Sequence, residues 1–104
     1  MYKVFLIEDE IVIREALERM IPWNEYGFEL VGKAKDGEIA LPMIRKTKPD
    51  VLITDIKMPF MDGLTLMERL RSKMPECGFI VLSGHNEFEY ARQAIRQGAF
   101  AYLL

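Results

Sequence analysis

Three carboxylates and a hydroxyl stand directly after apolar runs that read as strands. Glu8 and Asp9 follow Val4-Phe5-Leu6-Ile7, Asp55 follows Val51-Leu52-Ile53-Thr54, and Ser83 follows Phe79-Ile80-Val81-Leu82. In an open parallel α/β sheet, ligands bind outside the carboxyl ends of the strands, at the switch point in strand order. All four side chains fall at that edge. Two carboxylates about 5 Å apart repel by roughly 3 kcal/mol at an effective dielectric of about 20. A small hard cation such as Mg2+ relieves that repulsion while keeping several of its waters. It would also offset the charge of an incoming phosphoryl group. A carboxylate can then attack phosphorus and become an acyl phosphate. Asp55 suits that role because it stands alone at its strand end, whereas Glu8 and Asp9 are paired and suit the metal. The pattern points to a metal-assisted phosphoryl site.

Each stretch also has a plainer explanation by itself. Glu8-Asp9-Glu10 could be the acidic first turn of a helix, stabilised by its dipole. Asp55 could be a turn residue before Pro59, and Ser83 a loop hydroxyl or cap. The joint placement, in order along three strands at one sheet edge, favours the site.

The elements that must position these groups alternate along the chain. Residues 3–8 read as a strand. Ile11, Val12, Ala16, Leu17, Met20 and Ile21 recur at helical spacing over 10–21, and Pro22 stops that helix. A loop over 23–28 leads to a short strand at 30–34. Asp36 is placed to cap a helix that runs to Thr47, with Pro42 inside it. An interior proline costs about 3 kcal/mol unless the helix kinks or starts late. A strand over 51–54, a loop through Met58-Pro59, a helix over 64–73 ended by Pro75, and a strand over 79–82 follow. Asn86 can cap a helix over 87–97, Gly98 ends it, and 101–104 is a fifth strand. Near-continuous apolar strands separated by helices imply a parallel sheet covered on both faces.

The bulk properties bound the rest. A chain of 104 residues is one domain. A net charge of −2 offers neither a nucleic-acid surface nor a polybasic membrane face. Cys77 is the single cysteine, so no internal disulfide forms. No apolar run approaches the roughly 18 residues of a membrane span, and Met1 to Val4 does not open a signal peptide. A cytoplasmic protein is expected.

At these residues the sequence resembles the receiver domain of bacterial two-component response regulators. The stretches that carry the likeness are Val4 to Glu10, Asp50 to Gly63, Val81 to Gly84, and Gly98 to Tyr102. The resemblance implies an α/β fold of flavodoxin type, doubly wound, with a five-stranded parallel sheet in the order 2-1-3-4-5. It implies Asp55 as phosphoacceptor, Asp9 as a direct Mg2+ ligand, Glu8 acting through water, and the backbone carbonyl of Lys57 as a further ligand. Ser83 matches the switch hydroxyl, Tyr102 the switch aromatic, and Gly84 a small residue that leaves room for the phosphoryl group. The implied partners are a sensor histidine kinase, the protein's own DNA-binding domain and, on phosphorylation, a second copy of the chain.

The stretch His85 to Ala91, with Ile21-Pro22-Trp23, resembles receivers joined to an AraC-type helix-turn-helix domain. Two departures stand out. The family's phosphate-pairing lysine and final helix would follow Leu104, so residues 1–104 are expected to be a C-terminally truncated receiver domain, with one flank of the sheet uncovered. Pro42 lies in a helix where the family usually has no proline.

Other functions fit less well. No Gly-rich dinucleotide motif or P-loop is present. A haloacid-dehalogenase-like hydrolase would want a second aspartate two positions after the nucleophile, where Lys57 stands, so the chain is not expected to be an enzyme. A phosphorylation-independent interaction domain of the same fold is the alternative.

Overall fold

The computed structural model describes residues 1–55, 63–82 and 101–103, with the backbone alone for 63–64 and 101–103. Strand β1 (Tyr2–Ile7) is followed by α1 (Ile11–Met20), a 3₁₀ turn (Trp23–Tyr26), β2 (Phe28–Ala34), α2 (Gly37–Thr47), β3 (Val51–Asp55), α3 (Gly63–Arg71), β4 (Gly78–Leu82) and β5 (Ala101–Leu103). The described strands form one sheet in the order β2-β1-β3-β4-β5. Every pairing is parallel. The architecture is the α/β arrangement expected from the sequence, and the order reverses between β1 and β3, where a ligand site is expected.

Register fixes which residues share a face. Phe5 pairs with Leu52, and Leu52 with Phe79, while Ile7 pairs with Thr54, and Thr54 with Val81. These six side chains are all buried. Against the same face pack Ala40 and Ile44 of α2 and Leu66, Met67 and Leu70 of α3, with Cys77 at the margin. Burial of that thiol pushes its pKa up to about 11.

The second face carries α1. Lys33 pairs in register with Leu6, and its ammonium meets Glu18 of α1 at 2.6 Å. None of the α1 residues is buried. Ile11, Val12 and Met20, expected on its apolar face, are 58%, 76% and 79% exposed, while Ala16 and Leu17 are half-buried. The spacing reported a face suited to burial, but periodicity does not name the neighbour that would cover it.

Local chemistry explains the boundaries. Asp36 caps α2 as its sequence suggested, its Oδ1 accepting from the Ile39 N–H at 2.9 Å. The helix then runs through Pro42 with no late start. Pro42 and Glu38, whose carbonyl loses its partner, are both exposed, so water can take the freed acceptor. Lys48 ends α2 in the left-handed region at φ 49°, where a glycine is more usual, and its N–H donates to Ile44 O at 2.8 Å.

The segment read as a loop over 23–28 folds as the 3₁₀ turn, ended by Gly27 at φ 84°. Strand β2 starts at Phe28, paired with Tyr2, and the two rings lie 6.2 Å apart. The β1–β2 register shifts between Val4 and Phe5, and Gly32 sits at that irregularity. A Cβ there would stand 2.6 Å from Phe5 Cε2. Among the described residues, no helix is long and apolar enough to cross a membrane.

Candidate metal and phosphoacceptor site

Strand β1 ends at Ile7, one residue earlier than its sequence suggests, yet the Glu8 N–H still donates to Ala34 O at 3.1 Å. Because Ile7 is level with Thr54, the next residues in the two strands, Glu8 and Asp55, come out side by side. Asp55 is the last residue of β3, paired with Leu82, so it belongs to the strand and not to a following turn. Asp9 sits in the crossover out of β1. One carboxylate oxygen from each of Glu8, Asp9 and Asp55 lies within 4.8 Å of the others.

The acids lie outside the helix that follows them. Helix α1 begins at Ile11, Glu10 occupies its N-cap, and its first turn holds no acidic residue. The helix dipole therefore does not account for Glu8 and Asp9.

Burial differs across the cluster. Glu8 is 4% exposed, Asp55 is half-buried and Asp9 is exposed. Desolvation, a hydrogen bond with Asp9 and the charge of Asp55 together push the Glu8 pKa from an ordinary 4.5 up to about 8. Its Oε2 is buried with no hydrogen-bond partner among the described residues. Leaving a buried acceptor in that state costs about 1–3 kcal/mol. An orphaned oxygen beside two further carboxylates is a donor set of hard oxygens, and it fits a small divalent cation of the Mg2+ class.

Lys57, Ser83, Gly84 and His85, the loop over 58–62 and the helix expected over 87–97 lie outside the described residues. Tyr102 is described by its backbone, which pairs with Val81; its side chain is not. Arg14 escaped the sequence reading. Its Nη1 donates to the backbone oxygen of Glu8 at 2.7 Å. The available signal was a basic residue one turn into the helix that follows the acids. Two cavities, of about 520 and 530 Å3, lie at the opposite edge of the sheet, beside Cys77 and beside Trp23, and include none of the three acids.

Comparison with known proteins agrees with this fold. The family described as response regulator receiver domain matches residues 4–104. The chain is 44% identical over its whole length to the transcriptional regulatory protein YesN of Bacillus subtilis, and spans 28% of that protein. Among solved structures, the receiver domain of AraT, a response regulator from Geobacillus stearothermophilus, superposes with a TM-score of 0.93 at 48% identity, over 99% of this chain and 80% of that one. A two-component transcriptional regulator AraC from Clostridium phytofermentans superposes with a TM-score of 0.83 at 32% identity, over 98% of this chain and 77% of that one. The chain belongs to the family of response regulator receiver domains.

Proposed function

We propose that the chain is a phosphorylation-operated switch, with residues 1–104 forming its receiver domain and Asp55 its phosphoacceptor. The observation that carries this reading is the convergence of Glu8, Asp9 and Asp55 within 4.8 Å at the carboxyl ends of β1 and β3. Glu8, Asp9, Asp55 and the backbone carbonyl of Lys57 are the groups that would hold Mg2+. Bound there, the ion supplies positive charge to the carboxylates and to the phosphoryl oxygens. An Asp55 oxygen attacks the phosphorus of a phosphohistidine on a sensor kinase. A P–O bond forms, the P–N bond breaks, and the histidine nitrogen keeps the electron pair.

Ser83 then donates its hydroxyl to a phosphoryl oxygen, and Tyr102 turns toward the space that Ser83 leaves. The surface of the 87–104 region changes, and an output domain senses it. This is a population shift: phosphate favours the active packing only by its differential affinity for that packing. Moving from 1:99 to 99:1 takes about 5.5 kcal/mol. The similarity to transcriptional regulators supports a DNA-binding output domain, and the AraC regulator among the structural neighbours supports one of AraC type. DNA is contacted only through that domain, the site of action is the cytoplasm, and phosphorylation promotes a homodimer.

Amide NMR spectra recorded before and after reaction with acetyl phosphate and Mg2+ test the switch. Wild type should show shifts spreading from Asp55 through β4 and β5. Ser83→Ala should react at Asp55 but confine the shifts to the acid cluster. Equal spreading in that variant would remove Ser83 from the mechanism.

A further inference from the structure

The turn that carries Glu8 and Asp9 must hold two acids at fixed positions against their mutual repulsion, and its own sequence has little with which to do so. Helix α1 has no side-chain cap: the N-cap residue is Glu10, and its carboxylate bonds no backbone N–H of the first turn. The upstream end of the turn is tied to the sheet by the Glu8 N–H on Ala34 O at 3.1 Å.

Within the turn the Glu8 carboxylate bonds the Glu10 backbone and the Asp9 side chain, and among the described residues Arg14 adds two further bonds. The Arg14 backbone N–H donates to Glu10 O at 2.9 Å, and its guanidinium Nη1 donates to Glu8 O at 2.7 Å. Arg14 thus grips the peptide oxygens on both sides of Asp9. The second bond fixes the Glu8–Asp9 peptide plane, and with it the direction in which both side chains leave the backbone. The side chain is half-buried, so it gives up rotamer freedom to stay there, and a charge-assisted bond to a peptide oxygen is stronger than a neutral one.

We infer that Arg14 is a positioning residue for the divalent-cation site: it sets the Glu8–Asp9 turn in the geometry that brings those carboxylates to Asp55, and it touches neither the cation nor the phosphoryl group. The inference rests on the reading of the acid cluster as a Mg2+ site. Its chemistry separates position from charge. A cation acting only through its field repels Mg2+, so removing it would tighten binding. A cation that holds the ligands in place does the opposite. Groups that hold a metal's ligands typically contribute about 10–100-fold to metal affinity. Arg14 acts on a peptide plane and not on a ligand atom, so the low end of that range is expected.

The test is calorimetric titration of the whole chain with Mg2+ alone, for wild type, Arg14→Met and Arg14→Lys, with thermal melts of each. Arg14→Met keeps most of the apolar stem and should weaken Mg2+ binding about tenfold. Arg14→Lys keeps the charge but loses the planar fork and should fall between Arg14→Met and wild type. The rate of reaction with acetyl phosphate should need more Mg2+ to half-saturate in Arg14→Met, yet reach within about twofold of the wild-type rate at saturation, as for lost binding alone.

Unchanged or tighter Mg2+ binding in a folded Arg14→Met overturns the inference. If Arg14→Met does not fold, Arg14→Lys decides alone: several-fold weaker binding supports the positioning role, and wild-type affinity overturns it. Wild-type protein that binds no Mg2+ overturns the metal-site reading itself and takes this inference with it, an outcome visible before any variant is compared.

Discussion

Glu8 is the residue where fold and chemistry pull hardest against each other. Its backbone is an extension of the β1–β2 ladder, its side chain is buried, and burial together with Asp9 and Asp55 pushes its pKa up to about 8 from 4.5. Between those two values the folded chain holds a proton that the unfolded chain has lost. Stability without metal therefore falls as pH rises through that window. The melting temperature of metal-free protein should decline from pH 5 to pH 8, and Glu8→Gln should flatten that part of the profile. Mg2+ competes with the proton for the same oxygens, so its affinity should rise with pH over the same range and the ion should restore stability at pH 8. A metal-free wild type whose melting temperature rises across the window relative to Glu8→Gln would contradict this account of the residue.

Single residues also show what was legible in advance. The placement of Glu8, Asp9 and Asp55 followed from strand ends alone, because an apolar run fixes where a parallel strand stops and the sheet edge does the rest. Asp36 was legible as a cap because capping is local, a matter of three residues. Arg14 was not: a guanidinium reaching back to a peptide oxygen depends on a rotamer, which spacing does not encode. Gly32 was not either, since its reason is the Phe5 ring on the neighbouring strand.

At the scale of elements, the punctuation by Pro, Gly and Asp located every described α-helix and strand to within about two residues, while the 3₁₀ turn was read as loop. The exceptions have one cause, which is partnership across distance. Phe28 reads as loop until Tyr2 is beside it, and Lys48 adopts a left-handed cap because α2 must turn back toward β3. Pro42 is the clearest local conflict. Its ring removes one bond from α2, and the helix continues because the loss falls on the solvent side. An interior proline costs about 3 kcal/mol, while its constraint on the unfolded chain returns up to about 1 kcal/mol. Pro42→Ala should therefore stabilise the domain by about 2 kcal/mol in urea denaturation, with the acid cluster untouched. A destabilised variant would mean that the ring makes a contact more valuable than the bond it removes.

At the scale of the molecule, one packed core serves one edge. The face toward α2 and α3 is a dense core running from Phe5 to Val81, and it holds β1, β3 and β4 in the register that sets Glu8 beside Asp55. On the other face, Ile11, Val12 and Met20 of α1 are largely exposed. The core behind the acids keeps the carboxylates in place along this rim of the sheet.

The central claim is that this rim takes a phosphoryl group on Asp55 with the help of a divalent cation. Intact-mass spectrometry after incubation with acetyl phosphate tests it most directly, with and without Mg2+ and with Asp55→Asn alongside. The account predicts a gain of one phosphoryl group that requires the metal and disappears in the variant. No gain in folded, Mg2+-binding protein, or an equal gain in Asp55→Asn, would contradict it.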